Sequence, residues 1–350
     1  MTMLAEIVDA VIGGDTHRDT HALEMLAPNG TTLSTTVIDN DEDGYATAIA
    51  WIAELAPGPR VVLGLEGTRS YGIGLARAAT QAGLTVVEVE RPRRQERRRG
   101  KSDPIDAHLA ALQVLRMNAD RLPTPRADGD REALRILLSA RREMTTSKTR
   151  QTNRLRALLL SGDDTDRGLA RGKLTQARLQ SIARRRGRSA DTVEQAVRRA
   201  ETRRLALAID ATMTELVGNK EQLATIVESF APGLLDRPGV GPVSAGQAIV
   251  TWSHHGRCRN DAAFAALAGA SPVPASSGRT VRHRLNRGGD RQLNRALHDI
   301  AKTRWRHDPR TVDYVARRRA AGKPDREIRR TLKRYIAREL FRALEATQAA

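Results

Sequence analysis

The chain has 350 residues, of which 29% are charged and 3% aromatic; 59 Lys and Arg outnumber 41 Asp and Glu, for a formal net charge of +18. A chain this long buries a sizeable core and divides into two domains, or one domain with an appendage. Its single cysteine, Cys258, excludes an intrachain disulfide, no apolar run approaches the roughly 18 residues of a membrane helix, and the start lacks a secretory pattern, so a cytoplasmic protein with no membrane partner is expected.

The charge is unevenly placed. Residues 1–90 hold four Arg, no Lys and thirteen acids, a net of −9, which leaves +27 on the other 260. An acidic first quarter joined to a basic body points to carboxylate chemistry beside a polyanion-binding surface, and nucleic acid is the expected partner. The excess of Arg over Lys suits bidentate phosphate contacts. With ten aromatic residues in all, those contacts should run to phosphate and backbone more than to stacked bases.

In chain order, residues 8–16 form an apolar strand running out at Asp15. Strands over His21–Ala27 and Thr31–Ile38 follow, separated by the turn signal Pro28-Asn29-Gly30. The periodicity predicts a helix over Asp41–Leu55, stopped by Pro57-Gly58-Pro59, and a continuous apolar strand over Arg60–Leu65 leading into Glu66. A helix over Ser70–Ala82, a strand over Leu84–Val89, a basic loop at 91–101 and a helix over Asp103–Met117 complete a mixed sheet with helices packed on it. From 130 to 230 the pattern is of long helices. Ile209, Met213, Leu216, Lys220, Leu223, Val227 and Phe230 make a coiled-coil-like seam with a polar break at Lys220. Residues 161–190 are polar and Gly-containing, which predicts a turn or hinge between two helical arms, forming either a hairpin within one chain or a dimer arm. The resulting division is 1–120 (α/β), 121–230 (helical) and 231–350 (mainly helical).

Four carboxylates form a coherent set. Asp15 and Glu66 stand where apolar strands end, and Asp103 and Asp106 lie three residues apart at the start of a helix, where Pro104 is tolerated. Carboxylates are hard oxygen ligands suited to Mg²⁺ or Mn²⁺, and four can hold two ions that polarise a phosphodiester. Taken singly they are strand-end caps and surface acids. His17 with His21, and His254-His255 with Cys258, lack the further ligands of a zinc site.

Gly14-Asp15-Thr16-His17, Glu66-Gly67-Thr68-Arg69-Ser70-Tyr71 and Lys101-Ser102-Asp103-Pro104-Ile105-Asp106-Ala107, in this order, resemble the ribonuclease-H-like fold in its junction-resolvase (RuvC-like) branch. More narrowly they resemble the DEDD transposases of the insertion-sequence-110 family, which includes the Piv- and MooV-like DNA invertases. Arg69 and Ser102 depart from the family wording, which has Gly and Thr there.

In the last segment, Arg237-Pro238-Gly239-Val240-Gly241-Pro242 has the Pro-Gly-x-Gly turn of a helix-hairpin-helix, in which Gly239 and Gly241 let backbone N–H groups approach phosphate; an ordinary helix–helix turn is the alternative. Spacing alone makes Ser276-Ser277-Gly278 a polar turn in a basic loop. The resemblance implies more. The run from Ala268-Gly269 through Pro272, Ser277-Gly278, Gly288-Gly289 and Leu293-Asn294-Arg295 resembles the family's C-terminal transposase domain, whose catalytic serine precedes that Gly. Ser277 is then the nucleophile, with Ser276 the competing assignment, and Arg279, Arg282, Arg284 and Arg287 are nucleic-acid contacts.

The function implied is a transposase or site-specific recombinase that cleaves and rejoins donor and target double-stranded DNA through a serine–phosphate link. The resemblance also implies Mg²⁺ or Mn²⁺ on Asp15, Glu66, Asp103 and Asp106, a structured (bridge) guide RNA and a homo-oligomer. The alternatives are a metal-dependent junction-type nuclease without serine chemistry and a non-catalytic architectural protein.

Overall fold

The computed structural model describes residues 2–89, 103–126, 128–274, 283–284, 286 and 288–347. The first part alternates as expected: β1 (Ala10–Thr16), β2 (Thr20–Leu26), β3 (Thr32–Asp39), α1 (Glu42–Leu55), β4 (Val61–Leu65), α2 (Ile73–Gln81), β5 (Thr85–Glu88) and α3 (Asp103–Leu115). The strands form one mixed sheet in the order β3-β2-β1-β4-β5. β1 runs antiparallel to β2 and parallel to β4, and β4 runs parallel to β5.

β1 and β4 are the central strands, and their near-continuous apolar character follows from burial on both faces. Alternate residues serve two cores. Ile12, Leu63 and Leu65 pack with Ile52, Leu75 and Ala79 of α1 and α2, while Val11 and Val62 pack with Ala110, Ala111 and Val114 of α3. α3 crosses β1 at Gly13, where a Cβ would stand 2.1 Å from the Ala107 carbonyl oxygen and 2.3 Å from the Ala111 nitrogen. The helix therefore lies with its backbone on the strand, a separation only glycine permits.

The remainder is mostly helical: α4 (Gly129–Leu160), α5 (Asp164–Ala170), α6 (Gln176–Ala183), α7 (Val193–Phe230), α8 (Pro242–Trp252), α9 (Asp261–Leu267), a two-stranded ladder of β6 (Val273–Pro274) with β7 (His283–Arg284), α10 (Arg291–His307), α11 (Pro309–Ala320) and α12 (Asp325–Thr347). By compactness the chain forms two units. One comprises Met1–Glu132, Thr251–Leu267 and Ala337–Ala350, and the other Ala133–Val250 and Ala268–Ile336.

α4 and α7 form an antiparallel hairpin in the second unit. Asn219 donates to the Leu137 carbonyl (3.0 Å), Arg141 donates to the Leu216 carbonyl (2.8 Å), and Arg198, far along α7, donates to the Leu158 carbonyl (3.1 Å). The expected seam is buried at Ile209, Leu216, Leu223 and Val227, but its polar break is Asn219, 6% exposed, and not Lys220, which faces solvent. An amide can satisfy both its ends inside a helix pair; an ammonium there would lose its hydration.

The expected hinge at 161–190 is also corrected, because it contains two helices that share a core with α4 and α7. Leu155, Leu159, Ala170, Leu179, Ile182, Leu205 and Ile209 pack together. The polar residues that suggested a loop are caps: Asp163 accepts from the Asp166 amide (2.8 Å) and Thr175 from the Arg178 amide (3.4 Å). Arg185, in the same stretch, pairs with Asp166.

Candidate active site

The parallel register of β1 and β4 pairs Gly14 with Leu65, so Asp15 and Glu66 leave adjacent strands at the same sheet edge. Neighbouring strands lie about 4.8 Å apart. The turn after β4 is bound to β1: the Glu66 amide donates to the Gly14 carbonyl (3.2 Å) and the Thr16 hydroxyl donates to the Glu66 carbonyl (2.8 Å). Gly67, with φ +69°, makes that turn, and a Cβ on it would stand 2.8 Å from the Thr16 hydroxyl oxygen.

The same edge receives α3. The Leu4 amide donates to the Met117 carbonyl, which fixes the end of α3 beside the segment entering β1. The helix thus runs back along the strand, over Gly13, and starts at the edge where Asp15 sits. Asp106, directly before Ala107, is 3% exposed, and Asp15 is 6% exposed. Asp103 opens α3, and its side chain lies outside the described residues. His17 Nε2 lies 3.2 Å from Asp15 Oδ2. Among the described residues no three His, Cys, Asp or Glu side chains are grouped closely enough to hold a metal ion. The donor chemistry nevertheless suits a hard cation: carboxylates at one edge, two of them withdrawn from water, where charge is costly unless compensated.

Glu88 ends β5, the next strand along, and has a different role. Arg126 grips it with two nitrogens, Nε to Oε2 being 2.7 Å. Burial pushes the carboxyl up, but the hydrogen bonds and charge of Arg126, with the charge of Arg69, hold it below the usual range. Arg131, 7% exposed, donates to the Arg126 carbonyl (2.8 Å). Its pKa is lowered to about 10 by burial and then by the charges of Arg69, Arg126 and Arg257. His254 is lowered to about 4 by burial and then by Arg257, Arg126 and Arg131. This arginine cluster in the first unit was missed in the sequence, because its members come from three distant segments. The only local sign was Arg69, where the family wording has Gly.

In the second unit, Ser276, Ser277, Arg279, Arg282 and Arg287 lie outside the described residues. Their flanks are described. β6 pairs with β7, Val273 opposite Arg284 and Pro274 opposite His283, and Arg284 is exposed. The surrounding motif residues come together: a Cβ on Gly269 (φ +63°) would stand 2.6 Å from the Gly288 carbonyl oxygen, and the Asn294 amide donates to the Ala268 carbonyl (2.7 Å). Asp290 caps α10, accepting from the Gln292 (2.8 Å) and Leu293 (2.9 Å) amides.

Gly239 (φ +72°) turns the chain against α10, where a Cβ would stand 3.1 Å from the Ile300 carbonyl oxygen. The Gly241 amide donates to the Ser244 hydroxyl (3.0 Å), within its own turn. Both glycines line a cleft of about 660 Å³ with Arg141, Arg142, Lys220 and Arg295.

Comparison with known proteins finds two family matches along the chain. Residues 12–162 match the family model of the DEDD transposases of IS110 type, described as "Transposase", and residues 232–316 match the model described as "Transposase IS116/IS110/IS902 family". The chain belongs to the IS110 family of transposases. It is 26% identical over 355 residues to the "Insertion element IS116 uncharacterized 44.8 kDa protein" of Streptomyces clavuligerus, covering 89% of this chain and 88% of that protein. A second relative, the "Insertion element IS110 uncharacterized 43.6 kDa protein" of Streptomyces coelicolor, is 31% identical over 143 residues, 40% of this chain and 35% of its own length. IS110-family membership carries transposase activity on DNA, and the first match spans the sheet edge, α3 and α4. Among the described residues no helix is long and apolar enough to cross a membrane.

Proposed function

We propose that this IS110-family transposase cuts and rejoins DNA by transesterification at Ser277. The serine oxygen forms a bond to a backbone phosphorus, a deoxyribose oxygen leaves with a proton, and the reverse step with a different deoxyribose oxygen seals the new junction. Phosphodiester energy is kept in the protein–DNA ester. Asp15, Glu66, Asp103 and Asp106 would hold Mg²⁺ or Mn²⁺, which when bound supplies charge neutralisation at the phosphate. The 1–120 segment then provides carboxylates, 121–230 helical support and 231–350 the nucleophile. The protein acts as a homo-oligomer on donor and target duplexes, guided by a structured RNA that the basic body is charged to bind.

The observation that carries the reading is the shared edge of Asp15, Glu66 and the start of α3, in a chain whose later segment matches the family's second model. The deciding experiment incubates wild type, Ser276→Ala and Ser277→Ala with labelled duplex and Mg²⁺, then scores protein–DNA adducts that survive denaturation. An adduct with wild type and Ser276→Ala but not with Ser277→Ala is expected. Loss only in Ser276→Ala moves the nucleophile by one residue, and cleavage by all three without adduct replaces the serine mechanism with a metal nuclease.

A further inference from the structure

The second unit contains a cavity of about 560 Å³, of which one wall belongs to the motif around Gly269 and the other to a helix that no motif marks. One wall is the Gly269–Pro272 backbone with Arg284 of β7, and the other is a face of α12. Lys323, just before α12, and Arg326, Arg330 and Arg334 within it recur at steps of three and four residues, so they share that face. Ile328, Leu332 and Ile336, on another face of the helix, are buried. Among the described residues, five cations thus line one space against a single acid, Glu327, which is 3.4 Å from Lys323.

Surface arginines swing apart into water, and Arg284 and Arg326 are exposed, but Arg334 is partly withdrawn from it. Arg334 Nε is buried with no hydrogen-bond partner among the described residues. Lys333, anchored to the Asn294 side chain at 2.9 Å, is lowered from its usual pKa by burial and then by the charge of Arg330. Positive charge held close against itself is stabilised by an anion. The volume falls in the range of about 300–1,000 Å³ found for ligand clefts, so a single small ion would not fill it. Among the described residues the lining has no aromatic ring on which a base could stack, which favours a sugar–phosphate backbone over a free nucleotide.

Proximity in the chain to Ser277, itself outside the described residues, points to which backbone. Pro272 and Arg284 stand at the foot of the β6–β7 ladder. Ser277 follows Pro274 by three residues, a tether of at most about 11 Å at full extension. We propose that the cavity grips the backbone of the DNA strand attacked at Ser277, at phosphates neighbouring the reacting one, with Arg330 and Arg334 as the principal contacts. The identity of that strand rests on the serine reading above; the grip itself does not.

The test uses the full chain and a fluorescein-labelled random-sequence duplex, with affinity measured by anisotropy across a salt series. Arg330→Gln/Arg334→Gln is compared with Arg306→Gln/Arg310→Gln, which removes the same charge from exposed positions outside the cavity. Each phosphate contact contributes about 0.9 to the slope of log K against log salt, so the cavity variant should lose between about 1 and 2 of slope and the control less than half of that. Arg330→Lys/Arg334→Lys, which keeps the charge and the fold, should restore most of the slope. Equal slopes for the cavity and control variants overturn the proposal. So does a loss seen with RNA of the same sequence and not with DNA. The adduct assay on the same proteins separates the two readings: adduct with an unchanged slope removes only the cavity, and a changed slope with no adduct from wild type removes only the serine chemistry.

Discussion

Position 13 has room for a hydrogen and nothing larger. A methyl group there would meet the backbone of α3 at 2.1 Å, and backbone cannot rotate away as a side chain can. Gly13→Ala should therefore cost about 1–3 kcal/mol, measured by urea denaturation, and should abolish transposition by moving the start of α3 from the Asp15 edge. Asp106→Asn, by contrast, preserves shape. It should remove recombination while leaving duplex affinity within about twofold, since phosphate binding resides in the basic body. His254 provides a pH test. Its pKa falls from 6.5 to about 4 on folding, so between those values the unfolded chain binds more protons than the folded one. Stability is full above about pH 6.5 and declines as pH falls toward 4, by at most about 3 kcal/mol. Comparing denaturation midpoints at pH 7 and pH 5 checks this, and His254→Gln should lose that part of the difference.

At the scale of elements, the α4–α7 hairpin carries two predictions of opposite sign. Asn219 is bonded from both sides, by its donation to Leu137 and by Arg141 at 3.2 Å, so Asn219→Ala should cost about 1–3 kcal/mol in thermal or urea unfolding. One residue earlier, Gly218 lies within α7 with nothing within 4 Å of an added Cβ. Gly218→Ala should raise stability by up to about 1 kcal/mol in the same assay. The hairpin also separates what the sequence could and could not convey. Central strands buried on both faces leave continuous apolar runs, so β1 and β4 were legible, and with them the edge bearing Asp15 and Glu66. Helix α3 was legible from Asp103-Pro104. The helices at 164–183 were not, because their capping residues are the same polar types that fill loops. Nor were Asn219, the arginine cluster or the α12 cavity, since each depends on which distant segment lies opposite, and a one-dimensional period cannot say that.

At the scale of the molecule, the unit that contains the sheet is assembled from three separated stretches of chain. Trp252 donates to Glu345 (2.8 Å), Asp261 pairs with Arg338 and Arg342, and Phe264 packs against Phe341 with ring centroids 5.8 Å apart. These bonds tie the second stretch to the third. Deleting the chain from residue 337 onward should leave Trp252 and Phe264 uncovered, with the sheet unit losing its cooperative thermal transition although none of its strands is touched. Cutting the sheet unit out as a continuous fragment should fail for the same reason. The arrangement also acts in time. A ribosome delivers the carboxylate edge early and residues 337–347 more than two hundred residues later, so a nascent chain cannot complete this unit until those residues have been made. A product halted before them would carry the carboxylates without the finished unit around them, and competence to break DNA would arrive only once that third stretch had joined.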